Sequence, residues 1–238
     1  MKNSQRVILE TIPNAQTYSF TKDFIPEAVE YATSKVFELM SSYVHDYPTP
    51  CSQQLMYGKQ KNEYDWTDGF WTGMLWLSYE LTGNQLFRAV AEAQYDDYKS
   101  RLDHFIGLDH HDIGFLYIPS LVAQYKLTGV QKARKSALRA AKLLSRRYSP
   151  KAGIIQVRDC DPQGKFIIDC CMNIPLLFWA AQETGKHRYY LQALQHITQV
   201  CNYMIRDDAS TYQNFRIDEI TGLPLGSTPG QGYSLDSC

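Results

Sequence analysis

Residues 79–83 read YELTG, and related stretches recur as YKLTG at 125–129 and QETG at 182–185. Each stretch ends a segment with helical apolar periodicity, and another such segment begins within a few residues. Glycine directly after the last helical turn readily adopts the left-handed conformation that closes a helix. The three stretches therefore predict a repeated unit of helix, tight turn and helix.

The repeat is long. Gly83, Gly129 and Gly185 lie 46 and 56 residues apart in the chain, which exceeds the period of tetratricopeptide and ankyrin repeats. Helical hairpins of this kind either stack as a solenoid or curl into a closed toroid of two layers. We therefore expect an all-α fold.

Apolar residues at spacings of three and four positions predict seven helices. Strand-like segments are confined to longer polar connections, where we expect the functional residues to lie. The predicted helices span 26–43, 67–81, 85–102, 113–127, 131–147, 173–183 and 187–205, and the strand-like segments span 153–157, 166–168 and 212–217.

Composition excludes several classes of protein. The 24 basic and 25 acidic side chains leave a net charge of −1, so nucleic acid is not an expected partner. A hydrophobic fraction of 44% excludes a disordered chain. Aromatic residues make up 13% of the chain, which is consistent with a large core or with a carbohydrate-stacking surface.

Cysteine usage and the lack of a long apolar run bear on the cellular location of the protein. The six cysteines form no CxxC pair, and Cys170 and Cys171 are adjacent, so reduced thiols are expected rather than a disulfide framework. The first residues lack a signal-peptide pattern, and no apolar run approaches the ~18 residues of a membrane span. We expect a cytoplasmic protein that does not contact membranes.

Two aspartates precede predicted helices. Asp112 in HHDIGF (110–115) can cap a helix or remain a charged carboxylate whose pKa the helix start lowers. Asp169 in IIDCCMN (167–173) can cap the next helix or lie in apolar surroundings that raise its pKa. One charged and one protonated carboxyl group would divide the work of an acid/base enzyme.

Other candidate features are weaker. DWTDGFWTG (65–73) places Trp66 and Trp71 on either side of a glycine that permits close backbone approach, and core packing accounts for at least one of the two. His110 and His111 suggest a metal, but adjacent side chains rarely face one ion and no HxxxH spacing accompanies them. We expect no metal and no cofactor.

Four segments together resemble glycoside hydrolase family 88, the unsaturated glucuronyl hydrolases. They are DWTDGFWTGMLWLSYELTG (65–83), HHDIGFLYIPS (110–120), IIDCCMNIPLLFWAAQETG (167–185) and the C-terminal stretch that contains TGLPLGSTPGQGY (221–233). The resemblance implies an (α/α)6 barrel, and it identifies residues 1–238 as one such domain that is truncated at its C-terminus. It also implies that this chain by itself is inactive and aggregates or melts broadly.

The resemblance assigns roles to five residues. It implies that Asp169 is the general acid/base, that Asp112 supports it and binds the substrate ring, and that Trp66 stacks beneath the sugar. Gln231 matches a glutamine that binds the uronate. Gln213 stands where many members have a substrate-binding histidine, and an amide can hydrogen-bond there but cannot titrate.

The implied reaction is hydration of a 4,5-unsaturated uronic acid at the end of a glycosaminoglycan-derived oligosaccharide, without a cofactor. A carboxyl group protonates C4, water adds at C5, and the hydrated ring releases the neighbouring sugar. Three alternatives remain open: an unsaturated rhamnogalacturonyl hydrolase like those of family 105, a carbohydrate-binding protein without activity, and an interaction module built as a helical solenoid.

Overall fold

The structure, a computed structural model, describes residues 24–60, 64–157 and 164–228. It is mostly helical, as the sequence predicts. The helices are α1 (Phe24–Met40), α2 (Asp68–Thr82), α3 (Gln85–Ala93), α4 (Tyr95–His104), α5 (Ile113–Tyr117), α6 (Ala123–Thr128), α7 (Gln131–Arg146), α8 (Cys170–Asn173), α9 (Pro175–Thr184) and α10 (His187–Tyr203), and a π-helical segment (Ile118–Val122) joins α5 to α6.

The helices form two layers. In the first layer α2 contacts α5, and α5 contacts α8 and α9. In the second layer α7 packs against both α5 and α9 and also touches α4, while α3 covers α2 and α10 covers α9. This alternation of inner and outer helices is the double layer that the repeated hairpin unit predicts.

The turns between the layers are closed by glycine, as expected. Gly83, Gly129 and Gly185 have φ angles of 71°, 72° and 67°. Each backbone N–H donates to the carbonyl four residues earlier, at 2.8 Å. Glycine is favoured there because the left-handed conformation strains other L-residues.

Three predicted helices are interrupted. The predicted helix 85–102 breaks at Gln94, whose buried side chain accepts a hydrogen bond from the Thr72 hydroxyl and donates one to the Tyr43 carbonyl. The predicted helix 113–127 widens into the π-helical segment around Pro119, which lacks an N–H for the helical ladder. The predicted helix 173–183 is a short helix from Cys170 followed by a new one from Pro175.

Two small antiparallel sheets flank the second half of the chain. Strands β1 (Tyr148–Ser149) and β2 (Ile154–Ile155) form one of them. Strands β3 (Lys165–Ile167), β4 (Asn214–Ile217) and β5 (Pro224–Thr228) form the other, with a register shift between Arg216 and Ile217. The strand-like segments of the sequence correspond to β2, β3 and β4.

The core lies mainly between the two helical layers. Its largest buried side chains include Trp71, Trp76, Tyr98 and Tyr117. A smaller cluster lies under the three-stranded sheet, where Phe166, Phe215 and residues of α10 pack together. Most aromatic side chains therefore contribute to packing, and fewer are free for a ligand.

Arg101 is a buried charge in the first half of the core. Its guanidinium contacts the carboxylates of Asp68 at 2.5 Å and Asp97 at 3.0 Å, and it donates to the Asp65 carbonyl at 3.3 Å. The Tyr64 ring lies 4.9 Å from the guanidinium. Arg101 thus fixes the turn that leads into α2.

Two glycines bring the starts of the inner helices into contact. A Cβ at Gly69 would lie 2.0 Å from the Phe115 carbonyl oxygen, and a Cβ at Gly114 would lie 2.3 Å from Cα of Asn173. No other residue fits at either position without moving backbone. The beginnings of α2, α5 and α8 therefore lie side by side at one end of the layer.

Helix α2 presents an apolar stripe to solvent. Its side chains recur at intervals of four, three and four residues, and each is about half exposed: Phe70, Met74, Leu77 and Leu81. A groove of about 710 Å³ separates this stripe from α1. A stripe with this spacing usually packs against a core, whereas in the described structure it is about half exposed.

Within the described ranges, no helix combines the length and the apolar character needed to cross a membrane.

Candidate active site

The starts of the inner helices carry three of the residues identified in the sequence. Trp66 precedes α2 by two positions, and Asp112 and Asp169 occupy the positions directly before α5 and α8. Because Gly69 and Gly114 hold these helix starts in contact, the three side chains lie at the same end of the inner layer. The tertiary structure thus assembles residues that are up to 103 positions apart in sequence.

The two carboxylates meet at one imidazole. Nε2 of His111 lies 3.4 Å from Oδ1 of Asp112 and 3.8 Å from Oδ1 of Asp169. His111 is 2% exposed, whereas the Asp169 side chain is 43% exposed. The arrangement is a buried base beside one sheltered and one accessible carboxyl group.

Neither aspartate acts as a helix cap. Asp112 and Asp169 stand at the capping positions of α5 and α8, but no side-chain capping hydrogen bond is formed at either. A carboxylate that capped its helix would be turned toward the first-turn amides. Both carboxylates instead lie beside Nε2 of His111. The Cys170 amide partly offsets the raised pKa of Asp169, but capping does not account for the positions of the two side chains.

The surroundings drive the two pKa values apart. Burial, followed by the negative charge of Asp112, raises the pKa of Asp169 to about 6. Burial alone would raise the pKa of Asp112 as well, but the proximity of His110 and His111 outweighs it and lowers that pKa. The sequence predicts both directions, although for Asp112 it attributes the shift to the helix start.

The two histidines beside Asp112 differ in their contacts and surroundings. Nδ1 of His110 accepts a hydrogen bond from the Asp112 backbone N–H at 3.1 Å and lies 3.1 Å from Oδ2 of the same residue. Burial lowers the pKa of His111 to about 4, against the opposing effect of Asp112. His111 is therefore neutral at neutral pH.

Asn173 is a site residue that sequence reasoning missed. It is fully buried, its Nδ2 donates to Oδ1 of Asp112 at 3.4 Å, and its Oδ1 accepts from the Phe115 backbone N–H at 2.9 Å. It therefore links the start of α5 to α8 and orients Asp112. The sequence could have indicated Asn173, because it lies four residues after Asp169 and residues four apart share one helix face.

An aromatic wall joins the start of α2 to α5. The ring of Trp66 lies 4.9 Å from that of Phe115 and 5.8 Å from that of Phe70, and the last two rings are 5.5 Å apart. Trp66 is 38% exposed and Phe70 41% exposed, whereas Phe115 is buried. Phe115 thus supports two rings that are accessible to a ligand, and the sequence had singled out only Trp66.

Gln213 lies beside the segment that carries Asp169. Gln213 is half-buried, and its backbone carbonyl accepts a hydrogen bond from the Ile168 N–H at 2.9 Å. That bond brings the start of β4 next to the segment that carries Asp169. Gln231 lies outside the described residues.

His111, Asp112 and Asp169 could supply three ligands to a metal ion, because their donor atoms all lie within 4.8 Å of one another. One imidazole and two carboxylates are a donor set that divalent cations accept. The sequence argument against a metal concerns the adjacent pair His110 and His111, whereas this group combines His111 with Asp112 and Asp169. The expectation that no metal is bound stays a prediction.

Comparison with known proteins places these residues in context. The model of Glycosyl Hydrolase Family 88 matches residues 38–214. The unsaturated chondroitin disaccharide hydrolase of Streptococcus pyogenes serotype M1 is 42% identical over 234 residues, which cover 94% of this chain and 58% of that protein. The chain thus spans less than two thirds of the length of that relative.

Solved structures agree with this similarity. The unsaturated glucuronyl hydrolase of Streptococcus agalactiae superposes with a TM-score of 0.90 at 36% identity, over 98% of this chain and 60% of that one. A mutant of that enzyme in complex with dGlcA-GalNAc6S superposes with a TM-score of 0.78 at 34% identity, over 98% of this chain and 58% of that one. These names do not favour the rhamnogalacturonyl alternative.

Proposed function

Because the chain belongs to Glycosyl Hydrolase Family 88, we propose that it contributes the catalytic carboxyl groups of an unsaturated glucuronyl hydrolase. The substrate is an oligosaccharide that ends in a 4,5-unsaturated uronic acid. The reaction adds water to the double bond and releases the neighbouring sugar.

One observation carries this proposal. A carboxyl group with a pKa of about 6, Asp169, lies close to the ionised carboxylate of Asp112, with the His111 imidazole near both, at the end of the inner layer where Trp66 precedes α2. General acid catalysis requires a group that still holds a proton near working pH and can reach the substrate. Asp169 meets both conditions, since its side chain is partly exposed while Asp112 is sheltered.

Asp169 begins the reaction as an acid. Its carboxyl proton moves to C4 of the unsaturated ring, the electron pair of the double bond forms the new C–H bond, and C5 becomes an oxocarbenium-like centre stabilised by the ring oxygen. Asp169 is left as a carboxylate. Its protonated fraction falls as pH rises through about 6, so the protonation step slows at higher pH.

The same carboxylate then acts as a base. It accepts a proton from a water molecule whose oxygen bonds to C5, and Asp169 is restored. The product of hydration is a hemiketal, which opens to a ketone at C5 and leaves a hydroxyl on C1. The C1 hemiacetal then expels the neighbouring sugar as an alcohol, so one water molecule is consumed in total.

Asp112 keeps Asp169 in the protonated state. Its negative charge disfavours a second charge on Asp169, and Asn173 and His111 hold its carboxylate in place. Asp112 also accepts a hydrogen bond from a hydroxyl of the substrate ring. This division of labour requires that the two aspartates have different pKa values.

The substrate ring lies on the aromatic wall. Trp66 offers a partly exposed face at the same end of the inner layer as Asp112, and apolar faces of sugar rings stack on such side chains. Gln213 supplies an amide hydrogen bond to the substrate, and Gln231 binds the uronate carboxylate.

The relatives suggest the class of substrate. The S. pyogenes relative is named for unsaturated chondroitin disaccharides, and a structural neighbour was solved with dGlcA-GalNAc6S. We therefore propose chondroitin-derived unsaturated disaccharides as substrates. We also propose that the catalytic and substrate-binding residues named above belong to a single domain of the (α/α)6 type.

The cytoplasm is the proposed location. Cysteines inside the described ranges are free thiols, which suits a reducing compartment: Cys51, Cys170, Cys171 and Cys201.

The test is an assay of the 238-residue protein with unsaturated chondroitin disaccharide. Turnover is followed as loss of alkene absorbance, and binding is followed by the fluorescence of Trp66 against a Trp66→Phe control. We expect both binding and turnover. Binding without turnover would favour a carbohydrate-binding protein, and the absence of both would favour an interaction module.

A further inference from the structure

His196 of α10 is a fully buried histidine that the proposed reaction does not yet use. Its ring packs edge-on against Phe166, with centroids 5.7 Å apart. The Ile155 backbone N–H donates to its Nδ1 at 3.0 Å. Nδ1 therefore carries a lone pair, and in a neutral imidazole the hydrogen must then lie on Nε2.

That Nε2–H group lacks a hydrogen-bond partner among the described residues. Buried donors are rarely left without an acceptor. Burial, and to a lesser degree the proximity of His111, lowers the pKa of His196 to about 3. The ring is therefore neutral at neutral pH, and its Nε2–H still needs an acceptor. We therefore expect a hydrogen-bond acceptor close to Nε2 of His196.

His111 presents the complementary group. Its Nε2 lies 3.4 Å from the ionised carboxylate of Asp112, which only accepts hydrogen bonds, so Nε2 carries the hydrogen. Its Nδ1 is then an acceptor, and this atom is also buried without a partner in the part of the chain that the structure describes. One buried donor and one buried acceptor thus remain unmatched.

Both histidines are attached to one backbone segment. Ile155 of β2 donates to His196, and two residues later the Val157 carbonyl accepts from the His111 backbone N–H at 3.1 Å. Residues two apart in an extended segment point to the same side and are separated by about 7 Å. The hydrogen bond of Gln156 to the Arg147 carbonyl lies on the opposite side. His111 and His196 are therefore neighbours.

We propose that His196 is a positioning residue, which donates its Nε2–H to Nδ1 of His111 directly or through one water molecule. This hydrogen bond fixes His111 in the tautomer that directs Nε2–H toward Asp112 and Asp169. The inference rests on the proposed function for its catalytic consequence, but the tautomer of His111 is a property of the folded protein alone. The chain of donors runs from Ile155 through His196 and His111 to the carboxylates.

A matched pair of variants tests the proposal. His196→Gln keeps an oxygen to accept from Ile155 and an amide to donate to His111, whereas His196→Met has similar length and neither group. Imidazole ¹⁵N chemical shifts of His111, measured by NMR at neutral pH, report its tautomer. We expect the Nε2–H tautomer in the wild type and in His196→Gln, and a mixture or the Nδ1–H tautomer in His196→Met.

Kinetics supply the second readout. His196→Met should lower kcat about 10-fold or more with little change in KM, and His196→Gln should restore most of kcat. An unchanged His111 tautomer in a folded His196→Met variant overturns the proposal, whether or not the protein turns over the disaccharide. Failure of the proposed function would instead appear as lack of turnover by the wild type while the tautomer still responds.

Discussion

The backbone of Gly114 lies directly against the backbone of Asn173, with Cα of Asn173 only 2.3 Å from where a Cβ of residue 114 would stand. This contact sets the start of α5 beside α8. Asp112 and Asp169 face the same imidazole because of it, although 57 positions separate them in the chain.

Gly114→Ala should disrupt the site. The new methyl group meets backbone atoms of Asn173, which cannot move without shifting α8, so we expect a loss of about 1–3 kcal/mol in the free energy of unfolding. Misplacement of the carboxyl groups should lower turnover about 100-fold. Gly58→Ala is the control, because its Cβ would meet only the Thr49 side chain, at 3.4 Å from the methyl and 3.7 Å from the hydroxyl. Equal stability and turnover of Gly114→Ala and Gly58→Ala would contradict the conclusion that the contact between Gly114 and Asn173 sets the site.

Asp169→Asn should lower turnover at least ~100-fold, because an amide cannot donate the proton that general acid catalysis requires. Substrate affinity should change much less, since Trp66 and Asp112 remain in place. Steady-state kinetics and equilibrium binding separate the two effects. Near-normal turnover would remove Asp169 from the acid/base role.

The same variant should be more stable than the wild type at high pH. Asp169 has a pKa of about 6 in the folded protein against an ordinary value of 3.8, so its favourable contribution is complete below 3.8 and is lost as pH rises through about 6. Asparagine carries no charge to bury. Thermal unfolding should therefore give a larger Tm increase for Asp169→Asn at pH 7–8 than at pH 4, and a pH-independent difference would be inconsistent with the raised pKa.

Arg101→Met should destabilise the fold and loosen the site together. It leaves the carboxylate of Asp68 buried without its partner, which costs about 3–5 kcal/mol, and it releases the turn that carries Trp66. Denaturant unfolding measures the first effect and disaccharide binding the second. Arg88→Met, which breaks an exposed ion pair with Glu92, should change neither.

Chelation should leave turnover unchanged. His111, Asp112 and Asp169 lie close enough to hold a cation, but in the proposed mechanism Asp169 transfers the protons and Asp112 and His111 support it without a cation. Activity is measured before and after exhaustive EDTA treatment and dialysis. Loss of activity that zinc or another divalent ion restores would show that the cluster is a metal site.

The structure also bears on the expected inactivity of this chain by itself. Trp66, Asp112 and Asp169 are held together by contacts within the described residues, chiefly at Gly69 and Gly114. We therefore expect a measurable rate from the 238-residue protein. The exposed stripe of α2 argues that it also self-associates, since large apolar patches promote association.

The local sequence accounts for much of the fold. The glycine after each YELTG-like stretch predicted the hairpin turns, because left-handed backbone is a property of single residues. The apolar surroundings of Asp169 similarly predicted its raised pKa. The break at Gln94 was not predictable, because it depends on hydrogen bonds to Thr72 and Tyr43, which are distant in sequence.

The sequence by itself determined the helical hairpins and the two aspartates at helix starts, since periodicity, glycine caps and residue type act over a few positions. Only the tertiary structure decided that neither aspartate caps its helix, that His111 joins them, and that Asn173 orients one of them. Those outcomes depend on which backbones approach closely across the layer. Close approach is set by contacts between residues far apart in the chain, and local sequence patterns do not record them.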